Sequence, residues 1–433
     1  MAANTNLQSQ IIRLTKSILL RPVDSSRRPS AQFIAGKRSP FVFSGGIGLS
    51  WWYADDTFQA FDAVAALLIE SSAEFMDCDI ESVSNVVSRT LQEICLEKGL
   101  FDGDAVFLAR HDTLFACRVA PVPLLADSIL QEITAGLRKC MGRRCTVYTV
   151  PRFKVASFVV AGRSIRLISK NDEDAWQKLI DDGYLFDGWS PLHPQLGQKG
   201  SRTFSPPGDF ECVLVAEENG TQRGARFSSI LKYRKLAALL FATACERFPH
   251  KTHKAMARPY EFCVQFPHNS SADANITRSD CGPVIPYLAS DVQLCPDDIA
   301  SISEWYDRLD RCADEHRGRI DKAAHFVNRG INSDDIESYI NYFVALDALF
   351  GQRGSVEASI LKGVGALNLD VSLAEKVPWL FDLRNEIVHG GSRYISEWPK
   401  YKRYTQHFRS KPMDDVRDLA QSAMLRSPGI YAL

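Results

Sequence analysis

Apolar and polar positions along the chain follow two rhythms, and the change from one to the other divides it. Near the N-terminus, residues 56–74 (DTFQAFDAVAALLIESSAE) and 82–98 (SVSNVVSRTLQEICLEK) carry apolar residues three and four apart. That spacing lines one face of an α-helix, and Asp55 or Asp56 offers the first an N-terminal cap. Short β-branched and aromatic runs bounded by turn residues come next and predict strands: 104–111 (DAVFLARH), 114–122 (LFACRVAPV), 145–153 (CTVYTVPRF), 156–162 (ASFVVAG), 164–169 (SIRLIS), 211–220 (ECVLVAEENG) and 260–266 (YEFCVQF). Helical patterns at 123–142, 172–183 and 226–247 lie among them. Residues 1–40 read as loosely structured, and 40–53 (PFVFSGGIGLSWWY) as a strand and a turn. At 267–297 the chain turns rich in Asn, Ser, Asp, Gly and Pro, which predicts a linker. Beyond it the helical period dominates, with helices expected at 298–328, 334–350, 355–367, 372–389 and 412–426. The expected class is α+β: a mixed α+β region over 1–290, then an all-α bundle over 296–433.

Composition narrows the functional classes. With 433 residues the chain is too long for one comfortable core. A formal charge of −1 gives no global field for nucleic acid, so any such contact must be local. The 11 cysteines are scattered, odd in number and contain no C-x-x-C, which speaks against a disulfide framework or a zinc knuckle and for a reducing cytoplasm. The first residues lack the apolar core and cleavage site of a signal peptide, and the longest apolar run, 236–245, falls short of a membrane span. No phosphate-loop motif, G-x-S-x-G elbow or magnesium-type acidic cluster stands out. The expectation is therefore a cytoplasmic protein with no membrane contact, no cofactor and no bound metal.

The stretch 380–391, LFDLRNEIVHGG, concentrates the candidate chemistry. Leu380, Phe381, Leu383, Ile387 and Val388 supply an apolar face, Pro378 suits a first turn, and Gly390 and Gly391 suit a C-terminal cap. At 100° per residue Asn385 and His389 fall about 40° apart, whereas Arg384 and His389 fall about 140° apart. An intact helix does not aim that second pair at one point; an opened last turn or a second chain would. The residues also admit an ordinary reading, since an arginine or histidine at a helix end binds free carbonyls and complements the dipole.

Upstream, residues 334–354 (DDIESYINYFVALDALFGQRG) place the acidic Asp347 in an apolar helix. Together, ALDALFG and R-N-x-x-x-H-G make the last third of the chain resemble the Apea-like branch of the HEPN superfamily. Asp347 stands where that branch usually carries Glu. The resemblance implies a helical bundle that dimerises, or forms a higher homo-oligomer, with the R-x-x-x-x-H motifs meeting at the interface. It also implies a metal-independent endoribonuclease of toxins or antiphage defence, with Arg384, Asn385 and His389 as catalytic residues and Asp347 in support. On that reading residues 1–290 act as a sensor or recruiting module, and a protein of a defence system is an expected partner. The alternative is a non-catalytic HEPN module that binds RNA, nucleotide or protein through the same groove. In a third reading the motif only caps a helix in a structural subunit.

The segment 393–411 interleaves cations with rings. Arg393, Lys400, Tyr401, Lys402, Arg403 and Tyr404 are its candidate contacts to single-stranded RNA, because cations track phosphates while rings stack on unpaired bases. The ordinary reading is a solvated surface whose aromatics pack inward.

Overall fold

The computed structural model describes residues 2–21, 29–34, 51–97, 99–160, 164–182, 210–249, 252–255, 263–267, 275–277, 283–367, 371–388 and 395–431. The fold is mixed α+β, with strands confined to the part before Pro296 and only helices as regular elements among the described residues after it. Contacts divide the chain into two units.

The first unit comprises Met1–Arg144 and Glu218–Phe227. Its helices are α1 (Ala2–Ser17), α2 (Asp55–Ser71), α3 (Ile80–Glu97), α4 (Gly103–Phe107) and α5 (Val122–Cys140). They bury stripes such as Leu7, Ile11 and Leu14 of α1 and Ile129, Ile133 and Leu137 of α5. A small antiparallel sheet runs in the order β1 (Ile18–Leu19), β3 (Trp51–Ala54), β2 (Pro29–Ile34). Three expectations fail here. Residues 2–17, expected to be loose, form a helix because Leu7, Ile11 and Leu14 repeat at helical spacing and are buried. The expected strand 104–111 contains α4 instead: Asp102 accepts a hydrogen bond from the Ala105 N–H at 3.1 Å and starts a helical turn. The expected strand 114–122 begins with a 3₁₀ turn over Leu114–Cys117, nucleated in the same way by Thr113, which accepts from the Ala116 N–H at 3.3 Å. Local side-chain capping overrode β propensity in both.

The chain returns to this unit at 218–227, where NGTQRG docks on Asp77–Asp79. Thr221 Oγ1 donates to Asp79 Oδ2 at 2.8 Å and accepts from the Asp79 N–H at 3.3 Å. A Cβ on Gly220 or Gly224 would lie 1.9 Å or 2.3 Å from the Asp77 carbonyl oxygen, so only glycine permits this approach.

The second unit comprises Cys145–Glu217 and Ser228–Leu433. Its sheet runs β10 (Asn275–Thr277), β9 (Cys263–Pro267), β4 (Gly142–Val150), β8 (Cys212–Gly220), β7 (Ile165–Ser169), β6 (Phe158–Val159). β7 pairs antiparallel with β8, Ile165 facing Ala216. A short parallel pair joins β5 (Phe153–Lys154) to β11 (Val292–Gln293). Helices α6 (Glu173–Asp181) and α7 (Gln222–Arg247) accompany the strands, and Tyr233 of α7 donates its hydroxyl to the Thr146 carbonyl. The helical part follows: α8 (Pro296–Arg311), α9 (Asp314–Asn332), α10 (Asp335–Phe350), α11 (Val356–Ala366), α12 (Val371–Val388), α13 (Pro399–Phe408) and α14 (Pro412–Tyr431).

One core runs through this unit, from Val150, Leu167 and Leu214 on the sheet, through Tyr233 and Leu240, to Trp305, Ile320, Leu346, Leu380 and Leu419. The segment 267–297 therefore joins parts of a single core. The unit boundaries fall elsewhere than the expected division into 1–290 and 296–433. A hydrogen bond ties the segment to α9: Asn328 Nδ2 donates to the Val284 carbonyl at 2.6 Å.

The helix expected at 298–328 is two helices, broken at Cys312, whose ψ of 147° is extended. Charge marks the break: Arg308 and Arg311 end α8 while Asp314 and Glu315 begin α9, each sign favoured by the helix dipole at its end. α9 and α10 pack closely because Gly330 leaves room for the Tyr342 ring, which a Cβ there would meet at 2.7 Å. α13 was not expected, although Pro399 at its first turn and Tyr401, Tyr404 and Phe408 at helical spacing signal it. No described helix is long and apolar enough to cross a membrane. The described cysteines form no disulfide.

Candidate functional site

α12 carries the R-N pair and is anchored from its apolar side. Val377, Leu380 and Leu383 are buried, Tyr339 of α10 donates its hydroxyl to the Leu380 carbonyl at 2.7 Å, and Phe343 meets Phe381 edge-on at 5.9 Å. Pro378, expected in the first turn, lies well inside the helix. There it lacks an N–H for the helical ladder and tends to kink the axis.

This anchoring leaves Arg384 and Asn385 half-buried on the outer side of α12. Arg384 Nη1 donates to Asn385 Oδ1 at 3.2 Å, and the guanidinium carbon lies 5.9 Å from the Phe381 ring centroid. Ring and amide hold the planar fork in place and leave its other N–H groups without a partner among the described residues. Glu386, which motif reasoning passed over, is half-buried next door; its Oε2 is buried and accepts no hydrogen bond from the described residues. A buried acceptor in that state favours a donor brought to it. α12 ends at Val388. His389 and Arg393 lie outside the described residues.

Asp347 is exposed at the C-terminal turn of α10 and makes no hydrogen bond or ion pair with Arg384 or Asn385. Its role is in the turn. A Cβ on Gly351 would meet its Oδ1 at 1.8 Å, and the Gly351 N–H donates to its carbonyl at 2.7 Å. Arg319 of α9 closes this helix end, donating to the carbonyls of Leu349 at 3.1 Å and Gly351 at 3.2 Å.

The basic–aromatic segment separates into core and surface. Tyr404 is 1% exposed and donates its hydroxyl to Asp415 Oδ2 at 2.8 Å; Asp415 also accepts from Lys376 at 2.9 Å and from Ser410. Tyr404 is thus a core residue, and its expected role of stacking on RNA is corrected. Tyr401 is half-buried against the same core, and burial raises its phenol pKa. Lys402 is exposed. Lys400 and Arg403 turn toward α12. Lys400 pairs with Asp382 Oδ1 at 2.6 Å, and the Arg403 guanidinium lies 5.9 Å from the Trp379 ring centroid. His407 stacks on Trp379, centroids 5.0 Å apart and planes 9° from parallel. Pro378, Trp379, Asp382, Lys400 and Arg403 line a pocket of ≈ 250 Å³. Trp379 and Asp382 were not among the expected contacts; the signal was their spacing of three on α12, opposite Lys400, Arg403 and His407 on α13.

A larger cleft of ≈ 480 Å³ lies beside α8, lined by Arg247, Asp298, Glu304 and Arg308 among others. Arg247 pairs there with Asp298 at 2.7 Å and Arg308 with Glu304 at 2.5 Å, and Glu246, whose carboxyl pKa burial raises, also lines the cleft. Among the described residues no group of three or more His, Cys, Asp or Glu is arranged to hold a metal ion. Comparison with protein-family models, curated proteins and solved structures finds no match.

Proposed function

We propose that this protein is a metal-independent endoribonuclease of the Apea-like HEPN type, acting in the toxin or antiphage-defence setting that the sequence resemblance implies. One observation carries the reading. On a helix anchored by Tyr339 and Phe343, Arg384 and Asn385 are half-exposed and joined to each other, and the guanidinium's remaining donors have no partner among the described residues. Cleavage of RNA by its own 2′-hydroxyl needs a base for that proton, an acid for the leaving 5′-oxygen, and positive charge for the phosphorane. Arg384 is assigned the phosphate, which a planar fork binds in two places. Asn385 fixes that fork. His389 is assigned the proton transfers, because imidazole titrates near neutrality. One imidazole does not readily serve as base and acid in one turnover; two chains brought together at this end of α12 supply two. Residues 1–290 are assigned a sensing or recruiting role.

The test is incubation of the purified chain with end-labelled single-stranded RNA in EDTA, beside His389→Ala. Cleavage by the parent alone, leaving 2′,3′-cyclic phosphate or 3′-phosphate ends, is expected. Strict magnesium dependence with 5′-phosphate products overturns the mechanism. RNA binding without cleavage moves the protein to the non-catalytic alternative.

A further inference from the structure

The pocket between α12 and α13 has a composition that the catalytic assignment does not use. It is lined by Pro378, Trp379, Asp382, Lys400 and Arg403, an aromatic ring beside two cations and one carboxylate. Trp379 and Asp382 are three apart on α12, and Lys400, Arg403 and His407 are three and four apart on α13, so two facing helix stripes build it. Each group has a distinct capacity. The indole is a π-face already stacked by His407 on one side and approached by Arg403. Arg403 is exposed and has no carboxylate partner among the described residues. Lys400 engages Asp382 through Oδ1, which leaves Oδ2 as an acceptor. The volume, ≈ 250 Å³, lies below the ~300 Å³ at which drug-sized pockets begin and suits one small planar group. Trp379 also lies six residues before Asn385 on the same helix, about 9 Å along the axis.

We infer that this pocket seats one unpaired nucleotide of the RNA strand, its base against Pro378 and Trp379 and its phosphate on Arg403. This rests on the ribonuclease reading and adds where the strand is held. Aromatic stacking with an adjacent guanidinium is how single-stranded nucleic acid is gripped without a duplex. Asp382 Oδ2 gives the seat a preference, because a carboxylate accepts from an exocyclic amine. Cytosine offers one and uracil does not. The seat therefore favours cytosine over uracil.

The experiment measures anisotropy of fluorescein-labelled 2′-O-methyl oligocytidine and oligouridine decamers, which resist cleavage, with the full chain. Arg403→Ala, Trp379→Leu, Asp382→Ala and, as a charge control, the exposed Lys362→Ala on α11 are compared with the parent. Melting curves are taken for each, and cleavage of unmodified RNA by the parent is followed alongside. Arg403→Ala and Trp379→Leu should each weaken binding by roughly tenfold or more. Lys362→Ala should change it by less than about twofold. The parent should prefer oligocytidine, and Asp382→Ala should erase that preference. Arg403 is exposed, so its variant reports even if Trp379→Leu fails to fold. If the parent cleaves RNA and Arg403→Ala binds as the parent does, the seat is refuted and the ribonuclease reading stands. Equal losses in Arg403→Ala and Lys362→Ala refute it too, since the grip is then diffuse charge. A parent that neither binds nor cleaves RNA overturns both readings.

Discussion

Replacing Tyr404 with Phe removes one oxygen from a closed network and separates packing from recognition. Tyr404 is 1% exposed, so the ring of the variant stays buried and the loss of apolar contact is small. What is lost is the bond from the phenol to Asp415 Oδ2 at 2.8 Å. Its acceptor is charged, held also by Lys376 at 2.9 Å, and the bond is buried. A hydrogen bond to a charged group contributes about 1.5–3 kcal/mol. Asp415 retains Lys376 and Ser410 after the substitution, so its charge is not left bare, and the lower half of that range applies. Tyr404→Ala additionally opens a ring-sized cavity and should cost about 3–5 kcal/mol. Urea unfolding followed by tryptophan fluorescence should show a lower midpoint for Tyr404→Phe, a still lower one for Tyr404→Ala, and an unchanged slope. RNA affinity of the folded Phe variant should equal that of the parent. An unaltered midpoint with weakened RNA binding would refute the reasoning and return Tyr404 to the RNA path.

Further outcomes are expected. Arg384→Ala should lower the rate of RNA cleavage by about 10²–10³-fold with the fold intact, and Arg384→Lys should recover only part, since an ammonium lacks the fork that Asn385 holds; parent-like single-turnover rates in either would remove Arg384 from the site. Gly330→Ala should destabilise by about 1–3 kcal/mol in urea titration, because its methyl would press on the Tyr342 ring; an equal midpoint would mean that α9 and α10 separate without penalty. Burial, with Arg234 and Arg329 nearby, lowers the pKa of His325 below its ordinary value. The unfolded chain therefore takes up a proton here before the folded one does, and stability falls as pH drops below about 6.5. His325→Gln should flatten that acid slope in urea midpoints between pH 7.5 and 5.5; an identical slope would show that another group carries it.

Legibility followed how locally each feature is determined. Helices such as α5, α10 and α12 were visible because their buried residues, Ile129, Ile133 and Leu137 for example, recur at helical spacing. The α+β class followed from where strand patterns stop. The stretches around α4 and Leu114–Cys117 misled because apolar runs of four to five residues suit strand and helix alike, and the caps at Asp102 and Thr113 decided. For the site, the sequence offered Arg384 and Asn385 as candidates but could not tell their neighbours. Tyr404 and Lys400 are four apart in one basic–aromatic run, yet one is buried on Asp415 and the other lines a pocket. Which way a ring faces depends on α14, a distant partner that no local pattern announces. The unit boundaries were hidden likewise, because 267–297 has a linker's composition while Val284 is buried and bound by Asn328.

The return of residues 218–227 to the first unit has a consequence for synthesis on the ribosome. The loop Asp77–Asp79 emerges early, but the glycines and threonine that cover it lie beyond position 217. At ~5–20 residues per second, the chain between 144 and 227 takes roughly 4–17 s to appear. During that interval the nascent first unit lacks its last piece, and its carboxylate and bare backbone face water or a chaperone. A clone ending at residue 144 freezes that waiting state, and one beginning at 296 discards the sheet side of a shared core. Neither cut yields a finished module. The covalent order of this chain makes the two bodies ripen together.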